Sequence, residues 1–505
     1  MRSYKNFLDK NGIDGETLQN IITDSKKDRD RMRKLYKRYD VDEDGPDIFN
    51  RHLVDYDNLD SARIQRLDDK VNNQLNNAFD AEIVDTKIGY MFGHPISYGF
   101  DKDGETENPT VTTLIEDFLL RNNAEDSDSE FGLVAAVCGK AARLVYVDKR
   151  GEFRIKNIDP WNVIFIGDDI HEPDYSIHLY KDDEGNDCAD FYDESDIYSF
   201  SSANGWDVFD IQPHLFEFNP LFAVENNRDQ KGDAEKVYAL INAYDRTLSD
   251  ASNEIEQYRL AYLILKGIGA DEDTLDSLKK GGIIELLGDN DEVKYLTKDI
   301  NDTMIENHLN RLEENIMRFA KSVNFSDESF GGNITGVAMK YKLMALENKC
   351  ITMERKFISS LRYQFKVLFS AWSKLHGLKE DDYLKVYYSF KRNLPDNLVE
   401  EAQVQQALKG LISDTTRLGL FSQVDDVEWE KEEIQKETEA QDEYLALMDP
   451  LNPAGETGSD DKKKKDGSES KAKKPCDVCG GDGRRPSDIT GNQIICKRCG
   501  GSGEV

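Results

Sequence analysis

Between Gly336 and Leu375 apolar side chains recur at helical spacing without a break: Leu343, Leu346, Cys350, Met353, Phe357, Leu361, Phe365 and Leu368. A stripe kept for about 40 residues predicts one helix of roughly 60 Å at 1.5 Å per residue. Such a helix spans a whole domain, so the rest of the chain must pack along it. A second stripe, Val237, Ile241, Tyr244, Leu248, Ala251, Ile255, Tyr258 and Tyr262, alternates steps of four and three, the narrow pattern of helices lying side by side. It predicts a helix over 234–266 that stops at Gly267 and Gly269. GIIELLGDNDEVKYL, residues 282–296, predicts two short strands around a Gly-Asp-Asn-Asp turn, and another helix follows over 302–324. The unit is helix, hairpin, helix. A loop of Gly, Ser, Asp and Asn at 325–335 then leads into the long helix.

Upstream the patterns are shorter. Leu18, Ile21, Ile22, Met32, Leu35 and Tyr36 predict charged helix between 17 and 39. Asp40, Asp42, Asp44 and Gly45 imitate the start of a calcium-binding loop. Its twelfth position, which needs a bidentate Glu, is Arg51, and Pro46 fills the seventh, so the segment reads as an acidic turn. Val71, Leu75, Phe79, Ile83, Thr86 and Tyr90 predict one helix that ends at Gly93 to Pro95. From 131 to 220, RLVYVD, FRIKNI, NVIFIG, SIHLYK and HLFEFN, separated by turn signals, predict antiparallel strands. A helix at 114–121 and the small-residue run LVAAVCGKAA would pack on that sheet. The expected fold class is α+β.

Composition excludes several functions. The 505 residues carry a formal charge of −34, which argues against tight DNA binding, because phosphate affinity comes mostly from Lys and Arg releasing counterions. An acidic wall instead gives DNA no sticking point as it slides past. No run of about 18 apolar residues is present to span a membrane. The sequence has no G-x-x-x-x-G-K-[ST] and no H-E-x-x-H. With 99 Asp and Glu, a carboxylate pair at helical spacing is a solvated face, and no catalytic residue is assigned.

Cys138, Cys188 and Cys350 stand singly and are expected to be buried as small apolar side chains, whereas Cys476, Cys479, Cys496 and Cys499 crowd the C-terminus. CDVCGGDG and CKRCGGSG repeat C-x-x-C-x-G-x-G across a hairpin-length insert. Four thiolates close a tetrahedral structural zinc site and leave no open position for catalysis. One zinc per chain is expected, after a disordered linker of Gly, Ser, Asp and Lys at 451–474.

Five segments in register resemble the portal proteins of long-tailed, non-contractile phages of Gram-positive hosts. They are NNQLNNAFDAEIVDTKIGYMFGHPI, FAVENNRDQKGDAEKVYALINAYDRTLSDASNEIEQYRLAYLIL, GNITGVAMKYKLMALENK, SFKRNLPDN and SDTTRLGLFSQVDDVEWE. The resemblance runs from about Asp40 to Tyr444. The C-terminal repeats resemble half of the cysteine-rich domain of DnaJ-type chaperones. The portal resemblance implies a helical segment at 1–45, an α+β wing at 46–233, stem helices at 234–269 and 301–324 around a β clip at 270–300, and a tunnel loop at 325–335. A tunnel helix at 336–375, a wing return strand at 376–395 and crown helices at 396–450 would follow, with the zinc module at 475–505. Phe330, Gly331, Gly332, Asn333, Ile334 and Thr335 would then face double-stranded DNA. The implied assembly is a ring of twelve copies of this chain at one capsid vertex of the virion. Its implied partners are the terminase large subunit, a head-completion or adaptor protein, scaffold and the major capsid protein. The competing reading is an acidic, zinc-containing interaction scaffold with chaperone-like binding and no DNA channel.

Overall fold

The computed structural model describes residues 2–51, 72–101, 109–203, 205–258, 262–266, 292–296, 302–324, 336–393, 398–421, 424, 427, 429–431, 433–438, 484–486 and 493–495. Two compact units divide the chain, Met1–Asn397 and Leu398–Val505.

The first unit opens with α1 (Arg2–Asn11) and α2 (Gly15–Tyr39). Asp14 caps α2, accepting from the Thr17 N–H at 2.8 Å and satisfying a donor that the helix leaves free. The acidic turn after α2 is held by Lys37, whose ammonium lies 3.4 Å from Asp42 and 3.1 Å from Asp44. Then come α3 (Phe79–Phe92), β1 (Ser97–Phe100), α4 (Pro109–Arg121) and α5 (Ala124–Cys138). Gly139 ends α5 at φ 91°, where a Cβ would overlap the Gln230 carbonyl, and the chain turns directly into β2 (Lys140–Val147).

Seven further strands follow: β3 (Phe153–Ile158), β4 (Val163–Ile166), β5 (Tyr175–Lys181), β6 (Asp187–Tyr192), β7 (Asp196–Ser201), β8 (Asp207–Pro213) and β9 (Leu221–Glu225). They form a three-stranded sheet, β3-β2-β9, and an antiparallel five-stranded meander from β4 to β8. HLFEFN, expected as a strand, is instead the link between β8 and β9. Phe216 buries its ring there without a ladder.

Two helices and a hairpin come next: α6 (Tyr238–Tyr258), β10 (Tyr262–Lys266), β11 (Glu292–Leu296) and α7 (Asp302–Ala320). This corrects the expectation of a helix through 266. Tyr262 keeps the helical period, yet it begins a strand whose register pairs Tyr262 with Leu296 and Lys266 with Glu292. EVKYL therefore pairs with YLILK; the expected partner, GIIELL, lies outside the described residues.

The long helix α8 (Gly336–His376) runs 41 residues. After it, β12 (Val386–Ser389) pairs with β1. Leu343, Leu346, Cys350, Met353, Phe357 and Leu361 of α8 enter one core with Val84, Ile88 and Met91 of α3 and Phe131 and Ala135 of α5. One half-helix further on, Phe365, Leu368, Phe369 and Trp372 join Ile115 and Phe118 of α4, Val145 of β2 and Phe222 of β9 in a second core. A third core packs Leu8, Leu18 and Ile21 of α1 and α2 on Ile164, Ile177 and Phe200 of the meander. Cys138, Cys188 and Cys350 are all buried thiols.

The early helix also starts later than its spacing predicts. Leu75 sits in an irregular segment before α3, and Val71 lies outside the described residues. In the second unit, α9 (Leu398–Leu408) and α10 (Asp414–Leu418) are followed by a hairpin of β13 (Arg484–Pro486) and β14 (Gln493–Ile495).

Candidate functional site

The helix pair α6 and α7 is rooted in the α+β body at one place. Val237 and Ile241, at the start of α6, pack on Ile316, Met317 and Ala320, at the end of α7, together with Phe79 and Ile83 of α3. Start against end makes the pair antiparallel, leading out to the β10–β11 hairpin and back.

Two buried ion groups flank this root, and α3 supplies one member of each. Asp80 and Lys87 are seven residues apart, hence on one helix face. Asp80 receives the Arg38 guanidinium of α2 at 2.8 and 3.3 Å, with the Arg38 side chain fully buried. Arg38 also donates to Asn242 of α6 at 3.1 Å and lies 3.9 Å from the centre of the Tyr238 ring. Burial lifts the Asp80 carboxyl above its ordinary range, and Arg38 offsets only part of that.

Lys87 meets Asp233, which precedes α6, at 3.0 Å and donates to Asn226 at 2.5 Å. Lys349 of α8 reaches the same carboxylate at 3.2 Å and donates to the Ala320 carbonyl at 3.0 Å. A single carboxylate thus joins α3, the turn before α6 and α8, while Lys349 caps the end of α7. Burial alone would raise the Asp233 carboxyl; the two ammonium groups overcome it and hold the group below its usual range. Burial pushes Lys349 down in spite of Asp233. Asn226 and Asn227, the NN pair of the sequence, shape this turn. Asn226 donates to Asp233 at 2.9 Å, and Asn227 donates to the Lys231 carbonyl at 2.6 Å.

Arg392 closes the far side, pairing with Glu347 at 3.0 Å and with Glu354 at 2.5 Å, both on α8. The Asn393 N–H donates to the Tyr90 carbonyl at 3.0 Å, so the segment leaving β12 is pinned where α3 ends.

Phe330, Gly331, Gly332, Asn333, Ile334 and Thr335 lie outside the described residues, and the segment that precedes them is held in place. Val323 is buried in the core that holds Leu343 and Leu346, and Asn324 donates to Glu313 at 2.8 Å. Cys476, Cys479, Cys496 and Cys499 also lie outside the described residues. The hairpin between the two pairs is described: Arg484 opposes Ile495, the residue before Cys496. Among the described residues no group of three or more metal-ligating side chains occurs, and no helix is long and apolar enough to cross a membrane.

Sequence reasoning missed Arg38, Asp80, Lys87, Asp233 and Lys349. The signal was present: Lys87 interrupts an otherwise apolar turn of α3, and a charge at such a position requires a buried partner.

An α+β body threaded by one long helix, with an antiparallel helix pair rooted in it by buried ion pairs, defines a structural subunit. The chain belongs to the family described as phage portal protein, SPP1 Gp6-like, whose sequence profile matches residues 18–444. It is similar to the portal protein of Clostridium phage phiCD119, 24% identical over 413 residues that cover 76% of this chain and 87% of that protein. It is also similar to the portal protein of Bacillus phage SPP1, 24% identical over 434 residues, 80% of this chain and 82% of that one. Members of the family are structural and non-enzymatic, and the interaction-scaffold reading gains no support from the matches.

Proposed function

We propose that the chain forms a closed homo-oligomeric ring at one capsid vertex, through which double-stranded DNA enters the head during packaging and leaves during ejection. The observation that carries this reading is the antiparallel α6–α7 pair, rooted at Asp233 and joined through 325–335 to the 41-residue helix α8. In this reading α6 and α7 are the stem helices, and the β10–β11 hairpin belongs to the clip, which meets the head-completion or adaptor protein. The terminase large subunit docks on the ring during packaging; scaffold and the major capsid protein hold it in the shell. The tunnel loop, with Phe330 to Thr335, touches the duplex sterically. The −34 charge keeps the ring from gripping DNA.

Shortening 325–335 tests the conduit. The expected result is intact rings with impaired packaging; packaging at the wild-type rate would refute the loop's role.

The C-terminal module is proposed to hold one structural zinc on Cys476, Cys479, Cys496 and Cys499. Supporting this, the β13–β14 register brings Arg484, five residues after Cys479, opposite Ile495, next to Cys496, so both pairs leave one end of the hairpin. Metal analysis should give one zinc per chain, and the Cys476→Ser, Cys496→Ser double variant should lose it. Zinc retained by that variant would remove the assignment.

A further inference from the structure

Residues 72–77 lie along α6, and Gln74 also donates to the Arg51 carbonyl at 3.0 Å, where Arg51 itself pairs with Asp250 of α6 at 2.6 Å. Alternate backbone N–H groups of the segment donate to α6 side chains four residues apart. Asn73 donates to Asn253 at 2.7 Å, Leu75 to Ser249 at 3.0 Å and Asn77 to Asp245 at 3.0 Å. Side-chain amides add to the ladder, Asn76 and Asn77 on Asp245 and Asn73 on Glu256. Two residues of extended chain rise about 6.6 Å and four residues of helix about 6 Å, so the two repeats match over the two steps from Asn73 to Asn77.

The two sides of this contact differ. On α6 the acceptors are covered: Asp245, Ser249 and Asn253 are 1%, 0% and 6% exposed. On the segment none of residues 72–78 is buried, and Leu75, its one large apolar side chain, is 38% exposed. Burial begins abruptly at Phe79 and Asp80. Ala78, the N-cap of α3, provides no side-chain cap bond.

We propose that residues 72–77 form a detachable strap that opens from α6 as a unit about Ala78 while the α3–α6–α7 core stays packed. Opening releases Asp245, Ser249 and Asn253 to water, which replaces each lost hydrogen bond, and Leu75 is already 38% exposed, so little hydrophobic burial is lost with it. The contact of Val237 and Ile241 with α7, nearer the root of α6 along the same drifting row, is apolar and offers no such replacement. The strap therefore opens locally and restrains α6 reversibly, whereas the apolar contact separates only with unfolding.

Hydrogen exchange of the full chain, followed by mass spectrometry across a series of low urea concentrations, tests this. The strap amides should exchange at least about tenfold faster than those of α3 and α7, at a rate that low urea leaves unchanged, because local opening exposes little surface. Ser249→Ala removes the acceptor for Leu75 and should speed strap exchange about tenfold while leaving α3 and α7 unchanged. Strap amides exchanging in step with α3 and α7, with the same urea dependence, would overturn the proposal. So would a Ser249→Ala variant that loosens all three together. Should the variant misfold, the wild-type urea series decides alone.

Discussion

The body around α8 and the α6–α7 pair are both helical, yet they are finished to different degrees. Along α8, from Leu343 to Trp372, almost every apolar side chain facing α3, α4, α5 and the sheets is buried, and Phe357 alone touches Phe92, Phe131 and Phe390 with ring centres 5.1 to 5.9 Å apart. The helix pair buries apolar side chains at its root and, on α7, as far as Leu312, while Ile255 is 63%, Met304 68% and Phe319, on the outer side of the root, 56% exposed. The first region closes its core along the buried stripe of α8, with exposed apolar side chains such as Met344, 57%, lying off that stripe. The other leaves apolar side chains uncovered, which a subunit of an assembly can do at low cost once neighbours cover them.

That contrast predicts a graded series. Phe357→Ala opens a cavity in the finished region and should cost about 3–5 kcal/mol in urea unfolding. Asp233→Ala should cost a similar or slightly smaller amount, about 3–5 kcal/mol, because it leaves Lys87 and Lys349 buried without their carboxylate. A loss under about 1 kcal/mol would mean that the root is not held by this ion group. Ile241→Ala, at the root of the pair, should cost about 2–4 kcal/mol. Phe319→Asp should change protomer stability by about 0.5 kcal/mol or less yet reduce assembly, read by sedimentation. Unaltered assembly would show that the exposed side chain faces no neighbour.

Acid separates the two buried groups. Asp233 is depressed in the folded chain, so its contribution is complete above the ordinary aspartate value near 3.9 and is lost as the pH falls below it through the folded value. Asp80 is raised, so falling pH relieves its burial penalty between the raised value and the ordinary one. Unfolding measured across pH should show a smaller low-pH drop in Asp233→Asn and a smaller rise above it in Asp80→Asn, each against a background set by the other shifted carboxyls.

The same contrast governed what could be read from sequence. α8 was legible because one strict stripe maps onto continuous burial. The end of α6 was not, since Tyr262 continues a period that describes side-chain spacing and carries no information about where the backbone leaves the helix. The strap was invisible for a related reason: an Asn-rich segment whose partners are side chains on a distant helix has no hydrophobic period to detect. Strands β6 to β9 were not named from sequence: β8 is exposed throughout and has no buried face to set a pattern, whereas β6 and β9 bury most of their side chains and were passed over in favour of the neighbouring run HLFEFN. The ligand chemistry expected from the cysteine spacing and the loop expected at 325–335 from composition both fall outside the described residues.

Electron-microscope images of the purified full-length protein test the central claim most directly. Closed rings with a central hole are predicted. Monomers, or particles without a hole, would contradict it.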